Sequence, residues 1–157
     1  MTLAAYTQAM SQEPLTEAIQ HYLREIYKLG QEGDTPVSVT ALARAQRVAP
    51  ASASAMVKKL AALELAEHAR YRGVSLTPAG ERVALEVIRH HRLLELYLAE
   101  TLGVDVEDVH DEADRLEHAI SEELEARIDR ALGFPTHDPH GEQIPDANLR
   151  WPRASNH

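Results

Sequence analysis

Apolar residues recur at helical spacing from Leu15 through Ile19, Tyr22, Leu23, Ile26, Tyr27 and Leu29. This pattern predicts an amphipathic first helix with Thr16 or the Glu17 carboxylate near its start and Gly30 as its stop. A turn over 31–36 leads to a short helix through Leu42 to about Gln46, which Ser38 or Thr40 can cap. The run Arg47-Val48-Ala49-Pro50 breaks it. A longer helix then begins near Pro50 or Ala51 and carries Met56, Val57, Leu60 and Leu63 on its buried side. Residues 65–71 and 74–77 read as two strands around Arg72-Gly73. Thr77 caps and Pro78 opens a long helix that reaches Leu102-Gly103, striped with Val83, Val87, Ile88, Leu94 and Leu98. Asp105 is expected to cap the next helix, which contains 110–118, and a last helix runs from about Ser121 to Leu132. Residues 1–14 lack periodicity and read as an arm. After Pro135, Pro139, Gly141, Pro145 and Pro152 interrupt any pattern, so 135–157 is expected to be a linker or extended tail.

Two helices joined by a short turn and followed at once by a hairpin make a winged helix-turn-helix over 1–77, in a mainly α chain whose second, helical part spans 78–134. The second helix of the pair opens with Ala51, Ser52, Ala53, Ser54 and Ala55. Side chains this small let a helix N-terminus approach a DNA groove, with amides and hydroxyls facing phosphate. Ser38, Thr40, Arg47 and Pro50 flank that entry, Lys58 and Lys59 follow one turn later, and Arg70 and Arg72 make the hairpin tip basic. Helix-turn-helix patterns arise by chance in helical proteins; the basic wing is what favours double-stranded DNA as a partner.

Net charge is −9, which alone argues against nucleic acid, but it is unevenly spread. Residues 1–77 hold eight Lys/Arg against seven Asp/Glu, and 78–157 hold eight against eighteen. A near-neutral front and an acidic back separate DNA contact from cation binding along the chain. There is no cysteine, so any metal is held by nitrogen and oxygen. Neither a membrane-length apolar run nor a secretory leader is visible, which places the chain in the cytoplasm as a soluble protein.

The densest chemistry lies in His110-Asp111-Glu112-Ala113-Asp114-Arg115-Leu116-Glu117-His118. At about 100° per residue, His110, Asp114, Glu117 and His118 share one flank of a helix, beside an apolar stripe. His91 and Glu95 form an i, i+4 pair able to chelate one ion. His21 lies beside the apolar face of the first helix, where a histidine satisfied by a backbone carbonyl is the simpler reading. A di-metal carboxylate enzyme would need two Glu-x-x-His pairs, and only Glu107 to His110 fits. No Ser/His/Asp or phosphate-loop signature is present, so an enzyme is not expected. A winged-helix regulator sensing a small organic ligand, without metal, would share the length and element order.

Taken together, the stretch from His21 to Tyr27, the winged helix ending in Leu76-Thr77-Pro78-Ala79-Gly80, Arg89 to Glu95, His110 to His118, and Gly141 to Pro145 resemble one family. It is the family of metal-dependent repressors typified by the diphtheria toxin repressor and the manganese transport regulators. The resemblance implies a primary metal site from His21, Asp114, Glu117 and His118, which reverses the simpler reading of His21, and an ancillary site from His91, Glu95 and His110. It implies Mn²⁺ or Fe²⁺ as the ion, a homodimer formed through the helical part, operator DNA as partner, and repression of metal uptake when the ion is plentiful. An ion joining the first helix to the dimerisation unit would set the spacing of two recognition helices. Three departures qualify the match. His21 stands where relatives use sulfur or a carboxylate, and Ala51 and Ala55 stand where they are often polar, so DNA shape would carry more of the specificity. Many iron-type relatives continue into a small SH3-like domain that donates further ligands to the ancillary site; this chain is expected either to lack it or to be a shortened form, and in both cases water or tail residues would complete the ancillary shell.

Overall fold

The computed structural model describes residues 15–33, 35–69 and 71–153; the expected arm over 1–14 and the proposed contact Arg70 lie outside the described residues. The elements, in order, are α1 (Glu17–Gln31), α2 (Val39–Gln46), α3 (Pro50–Ala62), β1 (Ala66–Ala69), β2 (Gly73–Leu76), α4 (Pro78–Glu100), α5 (Val109–Leu116) and α6 (Glu122–Ala131). The chain divides into two compact units, 1–84 and 85–157. The boundary falls inside α4, whose first turns contribute Val83 and Ala84 to the first core. Among the described residues no helix is long and apolar enough to cross a membrane.

Local chemistry sets the ends of these elements. The Thr16 hydroxyl accepts from the Ile19 amide at 3.2 Å, with Glu17 in the first turn of α1 and Lys28 in its last, both favourable to the helix dipole. Ser38, not Thr40, caps α2 by accepting from the Ala41 amide at 3.0 Å. Arg47 ends α2 in the left-handed region at φ 55°, and Pro50 opens α3, where its missing N–H costs nothing. The buried side of α3 is Ala53, Val57 and Leu60, while Met56 and Leu63 are only half-buried. Strands β1 and β2 pair antiparallel from Ala66 opposite Leu76 to Ala69 opposite Gly73. Val37 extends that ladder by exchanging two backbone hydrogen bonds with Val74, at 2.9 and 2.8 Å. Gly73 makes the approach possible: its φ is +109°, and a Cβ there would lie 2.2 Å from the Val37 carbonyl oxygen.

Thr77 does three things at the start of α4. Its amide donates to the Leu65 carbonyl at 3.1 Å, its hydroxyl donates to the Glu64 carbonyl at 2.8 Å, and its hydroxyl oxygen accepts from the Gly80 amide at 3.1 Å.

Two expectations for the second unit are corrected. The helix assigned an Asp105 cap starts at Val109, with Asp108 in the cap position, because residues 106–108 form a separate turn first, in which the Asp105 carbonyl accepts from the amides of Asp108 at 2.8 Å and Val109 at 3.1 Å. It ends at Leu116, leaving Glu117 as its C-cap and His118 just beyond. The segment after Pro135 is irregular as expected but is not a loose linker: Ile144 is buried in the second core with Leu93, Val109 and Ile128. His137 bridges to Gln143, and Arg92 on α4 donates to the Gln143 carbonyl at 2.6 Å and pairs with Glu142 at 2.7 Å. The buried Ile144, worth about 1.5–3 kcal/mol when fully buried, and the Arg92 contacts from α4 help to hold a segment that has no helix or strand of its own.

Candidate metal centre

Helix α4 is the spine of the chemistry in the second unit. At i, i+4 spacing it presents Glu86 and His90 on one register and His91 and Glu95 on the next, all of them buried. His91 is the hub. Its Nε2 lies 2.8 Å from Glu95 Oε1 and 3.0 Å from His110 Nδ1, and its Nδ1 lies 2.5 Å from Glu117 Oε2 and 3.3 Å from Asp114 Oδ1. Helix α5 supplies His110 and Asp114 one turn apart, with 3.4 Å between His110 Nε2 and Asp114 Oδ2. Beyond its end, Glu117 Oε1 meets His118 Nε2 at 3.2 Å. The sets assigned to an ancillary site (His91, Glu95, His110) and to a primary site (Asp114, Glu117, His118) therefore meet at one imidazole. His91, His110 and Asp114 each offer an atom within 4.8 Å of the other two. His21, the remaining residue assigned to the primary site, is half-buried on α1 of the first unit.

The electrostatics follow from burial and charge. Burial alone would push the His91 imidazolium down, but Glu117 and Glu95 against its two nitrogens outweigh that and raise its pKa to about 9. Burial likewise acts to raise Glu95, yet His91, with smaller help from His140 and His110, brings its carboxyl below the usual range. Without an ion, a proton on His91 holds these carboxylates together; a divalent cation would take over that charge and release the proton.

The folded-back tail adds residues that the sequence alone did not single out. His140 Nδ1 lies 3.1 Å from Glu95 Oε2 and 3.7 Å from Asp138 Oδ2, and both of those carboxylate oxygens are buried without a hydrogen bond. Glu95, Asp138 and His140 thus form a second convergent group of nitrogen and oxygen donors. Backbone amides fix Asp138 from the other side: His140 and Glu142 donate to its Oδ1 at 2.9 and 2.8 Å. The hint available beforehand was the density of His137, Asp138 and His140 in an otherwise plain tail. Buried carboxylate oxygens without a hydrogen bond are costly, and an oxygen- and nitrogen-binding divalent ion is a partner that would reduce the cost. The residues present fit such an ion.

In the first unit, the start of α3 exposes Pro50, Ala51, Ser52, Ala55, Lys58 and Lys59, with Ser54 half-buried. Ser38, Thr40 and Arg47 on and beside α2 are exposed, as is Arg72 in the β1–β2 turn. The positions named for DNA contact that are described are thus solvent-facing or nearly so, and Ser38 already spends its hydroxyl on the α2 cap.

Comparison with known proteins matches both units to one family. Residues 14–74 match the model described as the iron dependent repressor N-terminal DNA binding domain, and residues 77–146 the iron dependent repressor metal binding and dimerisation domain. The chain is 37% identical over 131 residues to the diphtheria toxin repressor of Corynebacterium diphtheriae, covering 83% of this chain and 58% of that protein. It is 32% identical over 114 residues to an uncharacterized HTH-type transcriptional regulator of Methanocaldococcus jannaschii, covering 73% of this chain and 91% of that one. Among solved structures, a manganese-dependent transcriptional repressor in complex with manganese superposes with a TM-score of 0.78 at 43% identity, over 87% of this chain and 62% of that one. The chain spans little more than half the length of the curated repressors it matches.

Proposed function

The chain belongs to the iron-dependent repressor family, and on that premise we propose that it is a cytoplasmic, homodimeric transcriptional regulator whose binding to operator DNA is switched on by Mn²⁺ or Fe²⁺. The observation that carries this reading is the buried His91, gripped on one nitrogen by Glu95 and His110 and on the other by Glu117 and Asp114. So many ionisable groups converging on one ring make a poor structural core and a good cation site. The donors are imidazoles and carboxylates with no sulfur, which suits Mn²⁺ or high-spin Fe²⁺, although the affinity order favours Co²⁺, Ni²⁺ or Zn²⁺ in a test tube. Tail residues Asp138 and His140, with Glu95, supply the second donor group.

When bound, the ion supplies positive charge that cancels the mutual repulsion of Glu95, Asp114 and Glu117. The residues do the rest: His91 gives up its proton, the α5 carboxylates close on α4, and the ensemble shifts toward the form that binds DNA. By linkage, DNA tightens metal binding in return. Exposed Ser52, Lys58, Lys59 and Arg72 supply phosphate contacts, while Ala51 and Ala55 leave base reading sparse. The regulated genes are those whose products import the sensed ion. Replacing Glu117 with Ala should abolish metal-stimulated DNA binding while sedimentation still shows the dimer; normal metal-dependent binding by that variant would refute the assignment.

A further inference from the structure

A third group of donors lies outside both sets just described. Glu86 and His90, one turn apart on α4, face Glu125 on α6, and the three side chains are 7%, 4% and 7% exposed. The arrangement around His90 is specific. Its Nδ1 lies 3.2 Å from the backbone carbonyl oxygen of Glu117. A carbonyl only accepts, so Nδ1 carries the hydrogen and Nε2 is left to face the carboxylates. Nε2 is buried and completes no hydrogen bond of its own, while Glu86 Oε2 at 3.3 Å and Glu125 Oε2, closer still, converge on it. An imidazole whose far nitrogen donates to a backbone carbonyl, fixing tautomer and ring orientation, is the usual posture of a metal-ligating histidine.

Charge balance decides between a proton and an ion. Arg89 meets Glu125 Oε1 through Nε and Asp129 Oδ2 at 2.9 Å, and it donates to the Pro145 carbonyl at 2.9 Å. The buried set is therefore three carboxylates, Glu86, Glu125 and Asp129, against one guanidinium and His90. A protonated His90 leaves one negative charge uncompensated in the interior, where it is expensive. A divalent cation with neutral His90 leaves none.

We propose that Glu86, His90 and Glu125 form a third, fully buried divalent-cation site, with His90 Nε2 and one oxygen from each carboxylate as its protein ligands and Arg89 holding the second oxygen of Glu125. The donor set of one nitrogen and two oxygens selects first-row ions such as Mn²⁺, Fe²⁺ or Zn²⁺ over Ca²⁺ or Mg²⁺. The site stands independently of DNA regulation, since its ligands are distinct from those of the sets around His91 and Glu95.

The test is metal binding by the full chain, with no DNA present. Equilibrium dialysis against Mn²⁺ should find that Glu86→Gln, a near-isosteric change, binds one ion fewer per chain than the unaltered protein. Glu95→Gln should keep that ion and lose affinity elsewhere. His90→Gln should match Glu86→Gln. If Glu86→Gln folds by circular dichroism and binds as many ions as the unaltered protein, the site does not exist. A second readout needs no variant: in the imidazole nitrogen spectrum of the unaltered protein titrated with Zn²⁺, His90 Nε2 should take on the shift of a metal-bound nitrogen. An Nε2 that keeps its hydrogen at saturating Zn²⁺ overturns the proposal.

Discussion

Gly80 offers a prediction whose sign runs against helix propensity. It sits in the first turn of α4, where alanine would ordinarily be preferred by about 1 kcal/mol. A Cβ at this position would lie 1.9 Å from the Leu65 carbonyl oxygen, 3.0 Å from its carbon and 3.4 Å from Leu76 Cδ2. The carbonyl cannot simply yield, because it accepts the Thr77 amide at 3.1 Å, and Thr77 is also tied to Glu64 and to the Gly80 amide itself. Overpacking of this kind costs about 1–3 kcal/mol, and disrupting the Thr77–Leu65 hydrogen bond adds about 1–3 kcal/mol if a buried group is left unpaired. Set against the propensity gain, Gly80→Ala should destabilise the first unit by about 3 kcal/mol, which for a unit of this size lowers Tm by about 12–24 °C. Thermal unfolding by circular dichroism gives the overall shift. Amide exchange at Val37 and Val74, which pair within the same unit, assigns it locally. Gly103→Ala is the control: nothing lies within 4 Å of a Cβ there, and only the φ of +68° opposes it, so the loss should stay near 1 kcal/mol. A Gly80→Ala protein as stable as the unaltered one would refute the steric account of how α4 meets the hairpin.

Other outcomes follow from the second unit. Arg89→Met should destabilise it by about 3–5 kcal/mol, because Glu125 and Asp129 lose their buried cation; chemical denaturation measures this, and adding Asp129→Asn should recover part of the loss. His140→Ala should weaken divalent-ion binding at the Glu95, Asp138 and His140 group by roughly tenfold or more, read by competition with a fluorescent chelator; unchanged affinity would remove the tail from the site. In the metal-free protein His90 and His91 have folded-state pKa values of about 10 and 9 against an ordinary 6.5. At His90, burial pushes the imidazolium down, but Glu125 and Glu86 more than offset it. Protons bound more tightly in the fold stabilise it fully below pH 6.5, and that contribution is lost as pH rises through about 9 and 10. Urea midpoints in chelator should therefore fall between about pH 6 and pH 10; a flat profile would contradict the paired-histidine geometry.

Much of this was legible in the sequence for identifiable reasons. The winged helix follows from signals that act locally: Ser38 as a cap, Pro50 at a first helical position, Thr77 ahead of Pro78, and a change of apolar period from helix to strand between Leu60 and Val74. His91 with Glu95 and His110 with Asp114 were readable because i, i+4 spacing fixes who shares a helix face. Contacts between distant segments were harder. Nothing local marks Asp138 and His140 as neighbours of Glu95; they arrive there because Ile144 is drawn into the second core and Arg92 binds the Gln143 carbonyl. Glu86 and His90 share a face by spacing, but Glu125 reaches them from a separate helix that the sequence marked only as a last helix from about Ser121 to Leu132. Asp105 is not the cap because a separate turn over 106–108 precedes the helix, which spacing cannot reveal.

The most direct test of a metal-switched DNA-binding protein is a binding measurement at one fixed salt concentration, since phosphate contacts make affinity steeply salt-dependent. Duplexes selected from a randomised library in the presence of Mn²⁺ would be titrated with the full chain, first with Mn²⁺ or anaerobic Fe²⁺ and then with excess chelator. The account predicts tight binding to palindromic duplexes with either ion, loss of that binding with chelator, and no metal response from Glu117→Ala. Equal binding with and without chelator would contradict it and would make the buried His91 cluster a structural feature of a regulator that answers to something other than metal.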